Sequence, residues 1–405
     1  MAIIIAWFET DDILQRFSIL FLLACLFGYT TNIAEAFSHT YATLIGFYLT
    51  ARLYMTAYLV LAAWLVPMVR APMLCYAFIA LVSAALWIAS IHVSYPNQLA
   101  LIFLALFLDI AGQASYIIIL TFFSHLPHLK TWANTALDFH PALNIEHRVE
   151  RTNAFVSLVF GYTVVAILYQ SSAPGIDAIF GKAILALIQP FAYNWLYFEL
   201  DGANLASHAI RRAKLTAMSW SMAHLPFIMA FVLGGGGLAR LVLATDVEGA
   251  DREMLTETYQ ARSEEEVAQG IRWFYCAGFG SALLFMCLIS LSHVHKDLDG
   301  MRLPKKSRMS FRAAVAVVMI CLPVAGERLD SLGLVATVTG LIVLTLAIEV
   351  WGVSRRGTGF VVGSGPCGYV GDCDKKNLRK VLDQGGGVDV DALGEKGGFK
   401  GGVLV

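Results

Sequence analysis

The chain has 405 residues, of which 58% are hydrophobic and only 15% charged, with a formal net charge of −1. Soluble domains are about 45–50% apolar and about 25% charged. The composition therefore excludes an ordinary soluble domain and points to an all-α, polytopic transmembrane bundle. The near-zero net charge excludes a nucleic-acid partner drawn by bulk electrostatics.

In chain order, Met1–Asp12 carries Glu9, Asp11 and Asp12 where a cleavable leader would be basic. The first apolar run is expected to direct insertion itself. Apolar runs long enough to span a bilayer, which needs about 20 residues, predict ten helices, with eight to ten as the working range. They lie at about 17–37, 42–66, 73–93, 98–121, 152–170, 180–200, 218–243, 270–291, 311–326 and 330–351. The ninth run is short and carries Pro323, which predicts a kinked or re-entrant segment. Residues 1–356 form the predicted transmembrane domain. From Gly357 to Val405 the chain is glycine-rich and without helical periodicity, which predicts a disordered cytoplasmic tail.

Basic residues gather on one side of this arrangement. Arg16, Arg70, Lys130, Arg148, Arg151, Arg211, Arg212, Lys214, Lys296, Arg302, Lys305, Lys306, Arg308 and Arg312 fall in or beside alternate loops. The opposite loops hold Lys182, Arg328 and an acidic segment with Arg252 and Arg262. The positive-inside rule then places both termini in the cytoplasm. The acidic segment, from Asp246 to Glu266, reads as a solvated surface before it reads as a cation vestibule.

Arg52 lies inside the second run, where a charge costs at least roughly 2.5–3.5 kcal/mol. Asp109, inside the fourth run, is its expected partner, since both fall about ten residues from the outer end of their helices at about 1.5 Å per residue. They form a candidate buried ion pair.

Of the seven cysteines, Cys25, Cys75, Cys276, Cys287 and Cys321 sit in apolar runs and read as packed thiols. His125, His128, His140 and His147 crowd one cytoplasmic loop. This pattern alone is a weak metal signal, so no metal and no cofactor is expected. Gly234–Gly237 lies inside a run and reads as a close helix contact or a kink. His224 sits about two turns into the seventh run, ahead of Pro226, which lacks an N–H and frees a carbonyl near position 222. It is a candidate proton relay or polar-path residue. The bland alternative is an imidazole donating to a neighbouring carbonyl. Trp220, Leu225 and Phe227 are expected to supply the lipid-facing side around it. Glu199 and Asp201 end the sixth run and are expected to pair at the interface with Arg211 and Arg212.

Three segments resemble the low temperature requirement A family of multi-pass membrane proteins. They are NIEHRVERTNAFVSLVFGYTVVAI, LIQPFAYNWLYFELDGANLASHAIRRA and MSWSMAHLPFIMAFVLGGGGLARLV, within residues 144–246. The resemblance implies family-motif roles for His147, Glu150, Arg151, Tyr197, Glu199, His208, His224 and Pro226. Gly161-Tyr162 stands where the family often carries Gly-Glu, and the chain is expected to lack the acidic, Phe- and Leu-rich helix with which the family usually begins.

Three readings of function follow. Buried charge in many spans supports transport of a small solute, linked to a proton or another ion. A structural or stress-adaptation role would leave those charges to fix helix packing. A lipid-modifying enzyme would need catalytic groups in the histidine-rich loop with Glu150, and it is the weaker reading. The expected partners are membrane lipids and an unidentified small solute or ion.

Overall fold

The computed structural model describes residues 13–36, 39–131, 144–168, 176–202, 205–295, 301–324 and 329–354. The glycine-rich segment from Gly357 and His140 lie outside them. The chain divides into two compact units, residues 1–153 and 154–405.

The first unit contains α1 (Ile13–Asn32), α2 (Tyr41–Leu65), α3 (Arg70–Ile91) and α4 (Gln98–Ser124), each packed on the next. Pro67 opens a single 3₁₀ turn that carries α2 into α3. α5 (Ile145–Leu168) crosses the division between the units. The second unit holds α6 (Ala178–Asn194), α7 (Lys214–Leu243), α8 (Gln269–Ser292), α9 (Lys305–Cys321) and α10 (Ser331–Val353). A two-stranded antiparallel ribbon joins β1 (Leu205–Ser207) to β2 (Val294–His295). Among the described residues, eight helices are long and apolar enough to cross a membrane: α1, α2, α3, α5, α7, α8, α9 and α10. Gln98–Gly112 of α4 adds a shorter apolar stretch.

Each predicted run therefore coincides with a helix, but several helices begin earlier than hydropathy suggests. α5 starts at Ile145 and α9 at Lys305. Their first turns hold charged residues that lower a hydropathy window without interrupting backbone hydrogen bonding. α9 runs helically to Cys321 and tightens into a 3₁₀ turn around Pro323. Asp177 and Asp330 cap α6 and α10, accepting from Phe180 N at 2.7 Å and Gly333 N at 2.6 Å.

Lys182, expected in an outer loop, is fully buried within α6. Its ammonium donates to Leu241 O at 3.1 Å, Ser331 Oγ at 3.2 Å and Ala244 O. Both carbonyls lie at the C-terminal end of α7, where helix carbonyls outnumber backbone donors; Leu241 O also accepts from Ala244 N at 3.3 Å, and the pair explains the burial. Asp246, at the start of the acidic segment, accepts from Ser331 N and Ser331 Oγ.

The core of the second unit is the α7–α8 pair. Gly234 and Gly237 face Gly278 and Tyr275 closely enough that a Cβ on Gly237 would lie 2.7 Å from Tyr275 N. The glycine block is thus a close backbone contact. Around it Phe160, Tyr193, Phe231 and Phe279 pack edge to face, at centroid distances of 4.7–5.1 Å for Phe160–Phe231, Tyr193–Phe231 and Phe231–Phe279. Cys25, Cys276 and Cys287 are buried, whereas Cys321 is exposed.

Candidate functional site

In the first unit, α2, α3 and α4 converge on Asp109. Its Oδ1 accepts from Arg52 Nη2 and from Ser83 Oγ at 2.6 Å. Its Oδ2 accepts from the Tyr48 hydroxyl and from Trp87 Nε1 at 3.0 Å. Tyr48 and Arg52 are one helical turn apart, as are Ser83 and Trp87, so each helix presents two donors from one face. The Tyr48 and Trp87 rings meet edge to face at 5.3 Å. Arg52 and Asp109 are therefore in direct contact.

In the second unit, beyond Asn194, α6 widens into a π-helical stretch, Trp195–Gly202. Such stretches are rare and concentrate at functional sites. Here it buries Leu196, Tyr197, Leu200 and Asp201 and leaves Glu199 exposed. Asp201 pairs with Arg312 of α9, whose Nη1 reaches Oδ2 at 2.7 Å, and accepts from Ser290 Oγ of α8 at 3.0 Å. The expected partners Arg211 and Arg212 are exposed instead. Arg312 also donates to Glu349 Oε1 of α10, through Nε at 3.0 Å and Nη2 at 2.8 Å. Arg308 donates to Glu349 Oε2. Two arginines and two carboxylates from three elements thus form a neutral buried network. Hydropathy leaves Arg308 in a loop and Arg312 at the edge of the ninth run, but spacing of four residues puts both on one face of α9, toward a glutamate inside the last apolar run.

A row of three histidines, His208, His293 and His295, reaches this network at Asp201. The His295 ring has Lys305 Nζ donating to Nδ1, and its Nε2 donates to Asp201 O at 3.1 Å. Lys305 also donates to Ser290 O and to His293 O at 3.0 Å. His293 Nδ1 accepts from Ala209 N at 3.0 Å, and His208 Nδ1 accepts from Ile210 N at 3.3 Å. These partners require neutral rings with Nδ1 unprotonated. Burial pushes His293 down to about 3, helped by His208, His295 and Lys305. His208 is lowered by burial and by Arg211; His295 is lowered by burial and by Lys305, against Asp201.

A group with a depressed pKa in the folded state contributes stability above its unfolded pKa, near 6.5, and loses it as pH falls toward the folded value. Acidification from pH 7 to pH 5 is expected to cost the protein roughly 1–2 kcal/mol through His293, at about 1.36 kcal/mol per pH unit below 6.5. His293→Asn keeps an acceptor near Ala209 N without titrating. Its thermal unfolding in detergent should depend less steeply on pH over that range. An unchanged slope would remove His293 as the source.

His224 is buried in α7. Its Nδ1 donates to Trp220 O at 2.6 Å, so in the neutral ring Nε2 accepts from the Tyr197 hydroxyl at 2.9 Å. Trp220 and Phe227, expected to face lipid, are buried, and Leu225 is exposed. Pro226 is half-buried within the same helix. His208 lies beside Trp220 and His293, with ring centroids 4.8 and 4.5 Å away. Tyr197, His208 and His224 thus gather in the second unit.

His147 and Glu150 stand apart from that cluster in the chain. They form a pair at 3.6 Å one turn apart on α5, with Glu150 and Arg151 exposed. His125 and His128 are exposed. Among the described residues no group of three or more His, Cys, Asp or Glu side chains is placed to hold a metal.

No curated protein and no solved structure matches the chain. The family profile described as Bacterial low temperature requirement A protein (LtrA) matches residues 1–348. That match takes in the long apolar helices of both units and the motif residues from His147 to Pro226, and the chain therefore belongs to the low temperature requirement A family of multi-pass integral membrane proteins.

Proposed function

We propose that this protein is a proton- or ion-linked transporter of a small solute, with both termini in the cytoplasm. The observation that carries this reading is the Arg52–Asp109 pair, set midway along α2 and α4. Charges at such depth are costly and concentrate along substrate and ion paths. In the second unit, the His224 imidazole, hydrogen-bonded to the Tyr197 hydroxyl, supplies a group that can carry a proton for the linkage. The one-sided lysines and arginines support the orientation.

Uptake by reconstituted vesicles, measured for a solute panel with and without a pH gradient, tests the proposal. Gradient-stimulated uptake that is lost in His224→Asn is the expected result. Accumulation no greater than in protein-free vesicles, across the panel and in either gradient direction, would count against transport. In the same vesicles, cysteines placed at positions 306 and 251 should label from opposite faces; labelling from one face would overturn the orientation.

A structural role is favoured at one place. The Asp201–Arg312–Glu349–Arg308 network has its carboxylates paired within the chain, and it ties the end of α6 to α9 and α10.

A further inference from the structure

The two partners in the first unit differ in how fully their hydrogen-bonding capacity is used. Asp109 is saturated, receiving Tyr48, Arg52, Ser83 and Trp87 on its two oxygens. It is held from two neighbouring helices, and only 10% of its side chain is exposed. Arg52 is the reverse case. A guanidinium carries five N–H donors, and one of its nitrogens, Nη2, reaches Asp109. Its Nε is buried and meets no acceptor among the described residues, while 30% of the side chain stays exposed.

Depth makes this informative. Arg52 lies eleven residues beyond the start of α2 at Tyr41, which is about 17 Å at about 1.5 Å per residue. An N–H without a partner in hydrocarbon costs several kcal/mol. A buried unpaired donor in a folded protein therefore calls for a water, an ion or a ligand. The planar fork of a guanidinium matches two oxygens of one anion, a geometry that lysine does not reproduce.

We propose that Arg52 is the recognition group for a small oxyanion, a carboxylate or phosphate group, and that Asp109 is the positioning residue that holds its guanidinium. That the anion is cargo rests on the transport reading; that it binds does not. Asp109 neutralises Arg52 while the site is empty, and its four donors keep it from turning toward the ligand. A bound anion leaves one net negative charge, which a co-entering proton or metal cation offsets. This is the electrostatic reason for an anion site to be ion-linked.

The test is thermal unfolding of the full chain in phosphatidylcholine nanodiscs. Sodium acetate and sodium phosphate are titrated against sodium chloride at equal ionic strength. Acetate or phosphate should raise the midpoint relative to chloride. Arg52→Lys, which keeps the charge without the fork, should bind at least tenfold more weakly. Should that variant not fold, the Arg52→Gln/Asp109→Asn double variant strands no charge and serves in its place. Nanodiscs containing phosphatidylglycerol form a second arm: an Arg52-dependent rise there, without one from acetate or phosphate, assigns the oxyanion to a lipid headgroup. No Arg52-dependent shift in either arm, or equal shifts in wild type and variant, overturns the site. An Arg52-dependent shift in a protein that moves no solute keeps the site and removes the transport reading.

Discussion

Arg312→Gln is expected to destabilise the protein by about 3–5 kcal/mol, the usual cost of stranding a charge from a buried pair. Arg312 is fully buried between Asp201 and Glu349. Without it Glu349 still accepts from Arg308, so Asp201 bears most of the loss, left with the Ser290 hydroxyl on its carboxylate. Asp201→Asn combined with Arg312→Gln leaves Arg308 and Glu349 balanced and should recover part of the stability. Exposed Arg211 and Arg212 provide the control, since their changes to glutamine should stay within about 0.5 kcal/mol of wild type. Thermal unfolding in detergent reads these four variants together with the Asp201→Asn single change, which completes the cycle. Simple additivity in the double variant would show that Asp201 and Arg312 are not coupled.

Gly278→Ala should cost about 3 kcal/mol, at or above the upper end for overpacking. A Cβ there would stand 2.5 Å from Gly234 N, 2.6 Å from Gly234 Cα and 2.8 Å from Ala230 O. All three are backbone atoms, so no side chain can swing aside and α7 and α8 must separate. Gly236 lies in the same block as Gly234, but a Cβ there meets nothing within 4 Å. Gly236→Ala should leave stability unchanged or raise it by up to about 1 kcal/mol through helix propensity. Equal losses at positions 278 and 236 would sink this account of the glycine block.

The helices were legible because an uninterrupted apolar run must satisfy its own backbone hydrogen bonds in a bilayer, and a helix does so locally. Arg52 and Asp109 stood out for the same reason: each interrupts such a run, and equal depth suggested the contact that Arg52 Nη2 makes with Asp109. Tyr48, Ser83 and Trp87 were missed, because hydroxyls and indoles do not disturb hydropathy. The network in the second unit was missed for a different reason. Asp201, Arg308 and Arg312 lie at the edges of apolar runs, where charge normally meets water. Arg312 is 111 residues from Asp201 and 37 from Glu349. The available signal was Glu349, an acid inside the last apolar run with no basic partner in its own helix.

What the sequence determined by itself is the class of protein, its succession of helices and the family to which it belongs. These depend on local composition, on run length and on motifs read in order. Tertiary structure decided which charges are buried and which partners they keep. Lys182 reads as a loop lysine until the carbonyls at the end of α7 are placed around its ammonium. Arg312 reads as a cytoplasmic anchor until Asp201 and Glu349 close on it. A charge is stable in a low-dielectric interior only when partners from distant segments surround it, and that condition belongs to the assembled helices rather than to any one of them.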